Sequence, residues 1–338
     1  MTESQVIKVL IVTNMLPTVN NPSSGTFVGQ QIESLRNKEF ALDVIHLDRK
    51  QYGMSIYAKT VQLVSNSIKN FKPDLVHTMY GGVLGWQVSK ISIECPIIQS
   101  FCGTDIQGVD AGNILLRLRS RIGIYYSRRT LPKVEHLILK AKRMLTYLPE
   151  WYPRNRVSII PNGINSKLFF RRDSNQCRDI LGWEQDKFHV VLASPTENDL
   201  NKRVELARRA TEHLPQELKA QFHLISNIEH QQVPIWLNAA NVVLMTSLKE
   251  GSPNIVKEAL ACKVPIVSVD VGDVKELIDG IEGCYISKDT VHDLAAALQK
   301  VALYDKEIDS DSIVRTLDIN NIADQIRALY IDVLNRKR

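Results

Sequence analysis

The sequence predicts an α/β protein made of two doubly wound units, each built on a parallel sheet. Short apolar runs alternate with longer helical patterns through both halves of the chain. This alternation is interrupted near the middle by the turn-forming residues Pro161, Asn162 and Gly163. At 338 residues, the chain is long enough for two domains of ordinary size. We therefore expect one domain over residues 1–160 and a second over residues 161–318.

The first half contains six apolar runs that are predicted to be strands. They lie at residues 6–12, 41–47, 75–79, 96–101, either 137–139 or 144–147, and 157–160. A long loop over residues 13–29 follows the first of them and leads to a predicted helix over residues 30–37. Loops of this length are often functional in compact domains. Gly25 could let backbone amides approach a phosphate, although a plain flexible loop would have the same composition.

The second half repeats the pattern with five predicted strands. These are residues 188–193, 221–225, 242–245, 265–269 and 284–286, again separated by helical stretches. A last helical stretch covers residues 319–335. Short buried strands that alternate with helices are typical of parallel sheets, because each strand then needs a crossover connection.

The composition excludes several classes of protein. No apolar run approaches the eighteen or so residues that a membrane span requires. The five cysteines are scattered and form no C-x-x-C pair, which argues against a disulfide framework and against a zinc site. We therefore expect a protein of the reducing cytosol, with no metal.

The formal charge of +5 is unevenly distributed, because residues 115–143 form the most basic part of the chain. Arginines and lysines alternate there with leucine, isoleucine and tyrosine. This pattern suits either a solvated helix face or a surface attracted to an anionic membrane. A nucleic-acid partner is not expected, since no recognised nucleic-acid motif accompanies the charge.

Two carboxylates, Glu250 and Glu258, flank a turn that opens a helix. The loop containing Glu250 leaves the carboxyl end of a predicted strand, where open α/β sheets place ligands. Ser252 is predicted to be the N-cap and Pro253 the first helical residue, so that the amide of Asn254 and its neighbours would form an anion site. The alternative is that both glutamates are solvated surface residues.

The surroundings of these glutamates favour the first interpretation. Residues 239–267 closely resemble the donor-site signature of family 4 glycosyltransferases, which are retaining enzymes of the GT-B fold. The Pro161–Asn165 string with Phe169 after it is similar to the interdomain connection of that family. The resemblance implies two Rossmann-like domains that face each other across a cleft. It also implies that a C-terminal helix over residues 319–338 packs back on the first domain.

The resemblance assigns roles on the donor side. Glu250 would orient the hydroxyls of the donor sugar and Glu258 would hold the ribose. Lys202 would neutralise the diphosphate, and Arg203 could substitute for a family arginine whose place Ser194 and Pro195 occupy here. Gly25 would lie near the diphosphate. The donor would also contact a run of residues at the start of the helix, namely Gly251, Ser252, Pro253, Asn254 and Ile255.

The resemblance also assigns roles in the first domain. His77 lies in a string similar to the family strand that carries a histidine, and could contact sugar or acceptor, or could be a core histidine. The string from Ser100 to Asp105 is similar to a His-Gly-Thr-Asp loop, with Cys102 in the place of the histidine. Sugar contacts from Cys102 are therefore in doubt, and Asp105 becomes the stronger candidate for facing the acceptor. Nothing nearby suggests that Cys102 is a nucleophile.

The sequence therefore predicts a retaining glycosyltransferase. It would move a sugar from a nucleoside diphosphate donor, with uridine the first expectation and guanosine the next, to a hydroxyl of a glycan or lipid-linked acceptor. No metal or other cofactor is expected. Cell-surface polysaccharide or glycolipid synthesis at the inner membrane face is the expected setting. Two alternatives remain open, namely a non-catalytic nucleotide-sugar binding protein and a sugar-nucleotide epimerase on the same fold.

Overall fold

The computed structural model describes residues 6–19, 24–36, 40–109 and 114–336. Within them the chain forms two compact units. Unit 1 comprises Met1–Gly163 and Ile319–Arg338, and unit 2 comprises Ile164–Asp318. Each unit has its own parallel sheet, so the predicted pair of parallel α/β units is confirmed.

Unit 1 contains a six-stranded sheet in the order β2-β1-β3-β4-β5-β6. Its strands are β1 (Ile7–Thr13), β2 (Phe40–His46), β3 (Leu75–Met79), β4 (Ile97–Phe101), β5 (His136–Leu139) and β6 (Val157–Ile159). Its helices are α1 (Thr26–Arg36), α2 (Arg49–Tyr52), α3 (Ile56–Phe71), α4 (Gly82–Val88), α5 (Thr104–Gln107), α6 (Ile114–Thr130) and, from the end of the chain, α14 (Ile319–Asn335). The strands β3, β4 and β5 are buried along their whole length, which explains their apolar sequences.

Two sequence predictions in unit 1 need correction. The first helix begins at Thr26 rather than at residue 30, because Gly25 turns the chain directly into it, and the predicted end at residue 37 lies outside the described residues. Of the two alternatives for the fifth strand, residues 137–139 were right and residues 144–147 were wrong. Lys142–Tyr147 is a 3-10 helix with Met144 as its buried residue, so its apolar side chains do not alternate between two faces of a sheet.

Unit 2 contains a five-stranded sheet in the order β11-β10-β9-β7-β8. Its strands are β7 (His189–Ala193), β8 (Gln221–Ile225), β9 (Val242–Met245), β10 (Ile266–Val269) and β11 (Tyr285–Ser287). Its helices are α7 (Ser174–Leu181), α8 (Val204–Glu212), α9 (Val233–Ala239), α10 (Asn254–Ala261), α11 (Val274–Ile278), α12 (Val291–Ala302) and α13 (Asp311–Thr316). The central strands β9 and β7 place the loops that follow them at the same edge of the sheet.

The helix α14 belongs to unit 1 although the sequence reaches it only after unit 2. It packs against α1, and its apolar face contributes Ile326, Leu329 and Tyr330 to the core beneath the sheet. The ring of Tyr330 makes an edge contact with Phe40 at 5.5 Å between centroids. The chain therefore leaves unit 1 after Gly163 and returns to it at Ile319.

Candidate functional site

The loop between β9 and α10 carries Glu250 and the turn after it. The helix begins at Asn254, and Pro253 occupies the cap position in an extended conformation with no side-chain cap. The prediction that Ser252 is the N-cap was therefore wrong by one residue. Ser252 instead donates its hydroxyl hydrogen bond to Asp273 at 2.6 Å. Ile255 is buried in the core of unit 2, so only its backbone is available to a ligand.

A second loop supports this turn from the side. Gly272, in the loop after β10, has φ +59°, and a Cβ there would lie 2.8 Å from the carbonyl oxygen of Gly251. A residue with a side chain would push the two loops apart, so glycine is required for this close approach. Burial raises the pKa of Asp273, whose side chain accepts the Ser252 hydrogen bond. Gly272 and Asp273 belong to no motif used in the sequence prediction, and the Gly-Asp pair after an apolar strand is the one local signal for them.

Lys202 and Glu250 meet at the carboxyl edge of the sheet. The Lys202 Nζ donates to Glu250 Oε1 at 2.6 Å, and the side chains are 19% and 17% exposed. The two loops that carry them are tied together by Asn201, whose side-chain amide donates to the Lys249 carbonyl at 2.9 Å and accepts from the Lys249 amide. The structure thus brings together Lys202 and Glu250, the two charged residues that the sequence analysis placed at the donor site. Asn201 supports their loops, and no sequence motif indicated it.

Arg203 lies beside this pair but points to other partners. Its backbone is left-handed at φ 51°, and its guanidinium donates to the Thr246 carbonyl at 2.5 Å and to Asp289 at 2.8 Å. The hydrogen bond and positive charge of Arg203 hold the pKa of Asp289 below its ordinary value. Arg203 therefore joins the loop after β9 to the loop after β11, and its role as a second phosphate cation stays a prediction.

Glu258 has a partner that the sequence did not suggest. Its carboxylate interacts with the His230 Nε2 at 2.9 Å, and both side chains are mostly buried. His230 also contacts the Phe169 ring at 5.2 Å between centroids. His230 lies in a short 3-10 helix before α9, 28 residues from Glu258 along the chain, so no local pattern links the two.

In unit 1, Gly25 is a position where no side chain fits. Its φ is +64°, and an added Cβ would lie 2.5 Å from the backbone of Met15. Its carbonyl accepts from the Val28 amide at 2.9 Å, which begins α1. The backbone of the loop after β1 therefore contacts the backbone at Gly25, directly before α1, and only glycine fits at this position. The predicted role of Gly25 toward a diphosphate stays a prediction.

The structure places His77 in the interior of unit 1, and its contact with sugar or acceptor stays a prediction. The side chain is completely buried, with Nδ1 at 2.5 Å from the Tyr330 hydroxyl and Nε2 at 2.7 Å from the Ser100 hydroxyl. Burial, with a smaller effect from Lys140, lowers the pKa of His77 to about 3. Both ring nitrogens are hydrogen-bonded within unit 1, which favours the alternative interpretation of a core histidine.

Asp105 is buried as well, and its predicted role of facing the acceptor stays a prediction. It is 3% exposed, and its carboxylate accepts from the amides of Gly81 at 2.8 Å, Cys102 at 3.0 Å and Gly103 at 2.9 Å. These bonds fix the loop after β4 and leave the carboxylate no free face. Burial raises the pKa of Asp105 and, beside it, raises the pKa of the Cys102 thiol to about 12. A thiol of that pKa is not a nucleophile at neutral pH.

Comparison with known proteins decides the family. A model described as "Glycosyltransferase Family 4" matches residues 33–168, and one described as "Glycosyl transferases group 1" matches residues 176–303. The chain belongs to the family 4 glycosyltransferases. It is therefore a glycosyltransferase of the retaining type that uses nucleotide-sugar donors, and the family and the enzyme class predicted from the sequence are confirmed.

Relatives and solved structures agree with this assignment. The chain is 21% identical to TuaC of Bacillus subtilis, a glycosyltransferase assigned to teichuronic acid biosynthesis, over 87% of this chain and 89% of TuaC. Sucrose-phosphate synthase of Thermosynechococcus elongatus has the same fold, with a TM-score of 0.79, 17% identity and coverage of 98% of this chain and 100% of that one. Anabaena HepE, solved with UDP and glucose, gives a TM-score of 0.72 and 15% identity, with coverage of 96% and 100%. These structures show that the family 4 enzyme has the GT-B fold.

Proposed function

We propose that this family 4 enzyme transfers a sugar from a UDP-sugar to a hydroxyl of a glycan or lipid-linked acceptor. The pairing of Lys202 with Glu250, beside the start of α10, is the observation that carries the proposal. A donor presents a diphosphate and a hydroxylated sugar side by side, so its site needs a cation and a carboxylate that are held next to each other. HepE, whose structure contains UDP and glucose, supports uridine as the base.

In the proposed reaction, donor binding exchanges one set of contacts for another. Lys202 leaves the Glu250 carboxylate for the diphosphate oxygens, and Glu250 then accepts from sugar hydroxyls. Positive charge at the leaving diphosphate lowers the barrier to breaking the glycosidic bond. The backbone amides from Gly251 to Ile255 add partial positive charge at the start of α10. Arg203 is a second cation within reach of the same loop, and its release from Asp289 would be required first.

Glu258 is proposed to hold the ribose hydroxyls. It lies in the helix that begins at the proposed diphosphate site, and His230 fixes the direction of its carboxylate. No metal is proposed for this reaction, because Lys202 and the helix amides supply the positive charge. On the unit 1 side, Gly25 is proposed to let the backbone of its loop approach the diphosphate.

The acceptor and the location are part of the proposal. TuaC, whose name assigns it to teichuronic acid biosynthesis, supports a role in cell-surface polysaccharide or glycolipid synthesis. The basic region over residues 115–143 supports contact of the enzyme with anionic lipid, which is the lipid type of the cytoplasmic leaflet. We therefore propose a cytoplasmic enzyme at the inner membrane face.

An epimerase and a non-catalytic binding protein can be distinguished from a transferase by the products that each one forms. A sugar-nucleotide epimerase would convert the donor sugar without an acceptor. A non-catalytic nucleotide-sugar binding protein would bind the donor and leave it intact. Incubation with a UDP-sugar and candidate acceptors, followed by analysis of free UDP, donor and glycoside, distinguishes the three functions. Transfer yields UDP and a glycoside in equal amounts.

Calorimetric titration with UDP and GDP, with and without EDTA, tests the donor site first. We expect micromolar binding of UDP that EDTA does not change. Glu258→Ala should weaken UDP binding about tenfold or more, because charge-assisted hydrogen bonds to the ribose are lost. Glu212→Ala, which removes an exposed glutamate at the end of α8, should leave the affinity unchanged. Failure of the folded protein to bind either nucleotide would refute the proposal.

A further inference from the structure

The first half of α6 exposes an apolar row. Ile114 is 83% exposed, Leu118 53% and Ile122 45%, and their spacing of four residues places them on one side of the helix. Leu115 is exposed next to this row, and Leu116 is exposed on another side of the helix. Exposed apolar side chains are common singly, but a contiguous row of this kind marks a contact surface.

Arginines border this row. Arg117, Arg121 and Arg128 are exposed on the neighbouring side of the helix, and Arg119 is exposed as well. Within the part of the chain that the structure describes, none of the four takes part in an ion pair. The helix therefore presents apolar side chains next to uncompensated positive charge, which is the pattern of a helix that lies in a membrane interface.

The row continues into a cluster of cations around one indole. Lys90, Arg129 and Lys133 lie over the Trp86 ring at 5.3, 5.5 and 5.0 Å from its centroid. Tyr126, which follows Ile122 by one helical turn, stacks on the same indole at 6.3 Å. We call these residues, with Trp86, the Trp86 cluster. Arg129 is seven residues after Ile122, so the cluster and the apolar row share one side of α6.

The cations of the Trp86 cluster, Lys90, Arg129 and Lys133, have no carboxylate partner in the part of the chain that the structure describes. The attraction of each cation to the ring is about 1 kcal/mol at an exposed site. This cation–π attraction leaves the three positive charges around the ring unneutralised. An external anion would neutralise them.

We propose that the apolar row of α6 and the Trp86 cluster form one surface that binds the anionic face of a lipid bilayer. Ile114, Leu118 and Ile122 enter the boundary between headgroups and acyl chains. Trp86 lies at the level of the headgroups, where indole rings concentrate, and the three surrounding cations contact lipid phosphates. This inference deepens the proposed placement at a membrane by naming the residues that make the contact.

A bilayer fits this surface better than another anionic partner. Nucleic acid would match the charge, but it offers no apolar layer for the exposed isoleucine and leucine side chains. The contact must be peripheral in the region that the structure covers. None of the helices in the described residues is long and apolar enough to cross a bilayer.

Sedimentation of the full-length protein with vesicles tests the proposal. We expect binding to vesicles of phosphatidylcholine with about one-third phosphatidylglycerol, and little binding to phosphatidylcholine alone. The triple variant Lys90→Gln, Arg129→Gln, Lys133→Gln should weaken binding about a hundredfold. Leu118→Ser with Ile122→Ser should weaken it about tenfold or more. A matched control, Lys275→Gln, Lys288→Gln and Lys306→Gln, removes three exposed lysines of unit 2 and should change binding less than threefold.

Two outcomes would overturn the inference. One is equal binding to the two kinds of vesicle. The other is a control variant that loses as much affinity as the cluster variant, since net charge alone would then explain the binding. UDP affinity of every variant is measured in parallel. Normal UDP binding without vesicle binding refutes this inference alone, whereas vesicle binding without UDP binding refutes the donor site alone.

Discussion

Burial determines which polar side chains in unit 1 are available to a substrate. His77 lies in the middle of β3 and Asp105 in the short helix α5 that follows β4, and the polar atoms of both side chains are hydrogen-bonded within the protein. Lys140 is only 3% exposed, although it belongs to the basic region of the sequence. Burial lowers its pKa, and the nearby Cys102 and Asp105 act in the opposite direction. The polar contacts of these three residues are therefore made inside unit 1.

His77 should make the protein less stable in weak acid. The folded protein keeps the ring neutral down to a pKa of about 3, whereas an unfolded chain protonates it near its ordinary value of 6.5. Protons therefore bind preferentially to the unfolded state below pH 6.5, and stability falls as the pH falls. The expected loss from His77 between pH 7 and pH 5 is roughly 2 kcal/mol.

Denaturant unfolding at pH 7 and pH 5 measures this effect. His77→Gln should be less stable at pH 7 but should lose roughly 2 kcal/mol less than the native protein on acidification. His213→Gln, which changes an exposed histidine, should show the native pH dependence. An unchanged pH dependence in His77→Gln would contradict the assignment of His77 as a buried neutral residue.

At the scale of elements, periodicity and turn chemistry predicted the strands of both sheets within a residue or two. They did not predict contacts between distant elements. His77 contacts Tyr330 from 253 residues away, and Glu258 contacts His230 from a separate helix. The residue type and the neighbours along the chain contain no information on such partners. The start of α10 was misplaced by one residue for a related reason, since Asp273 takes the Ser252 hydroxyl that would otherwise cap the helix.

The buried hydroxyl of Tyr330 should contribute to the stability with which α14 packs on unit 1. Tyr330→Phe keeps the ring contacts with Phe40 and His77 but removes the only hydrogen bond seen for the His77 Nδ1 among the described residues. We expect a loss of about 1–3 kcal/mol in unfolding free energy, because the imidazole nitrogen is left unsatisfied. Tyr125→Phe, at an exposed tyrosine of α6, should cost less than about 0.5 kcal/mol. Equal stability of the two variants would show that the hydrogen bond contributes nothing.

At the scale of the whole molecule, one unit is inserted into the other along the chain. The core of unit 2 consists entirely of residues between Ile164 and Leu317. One core of unit 1, in contrast, draws Ile322, Ile326 and Tyr330 from α14, on the far side of the insertion. The sequence indicated the turn at the first junction through its Asn-Gly pair. The need of unit 1 for α14 could not be read from periodicity, because an amphipathic helix does not specify which core it covers.

The fragment of residues 164–318 should therefore fold alone. We expect a cooperative denaturant transition and a monomeric elution volume, since the fragment retains its whole core. The fragment of residues 1–163 should be unstable, because it exposes the apolar surface that α14 covers. Joining it to residues 319–338 through a short Gly-Ser linker should restore folding. A stable 1–163 fragment would contradict this account.

The two junctions between the units are neighbours in space. A Cβ on Gly163 would lie 2.7 Å from the Cα of Ile319, and Ile164 pairs with Asp318 just beyond. The segment that forms unit 2 can therefore be replaced by joining a new segment at two adjacent points, after Gly163 and before Ile319. A chimaera that carries the corresponding segment of a relative would keep every residue of unit 1, including the surface on α6. In such a chimaera the proposed donor site is exchanged, while the surface proposed to bind the membrane keeps its sequence.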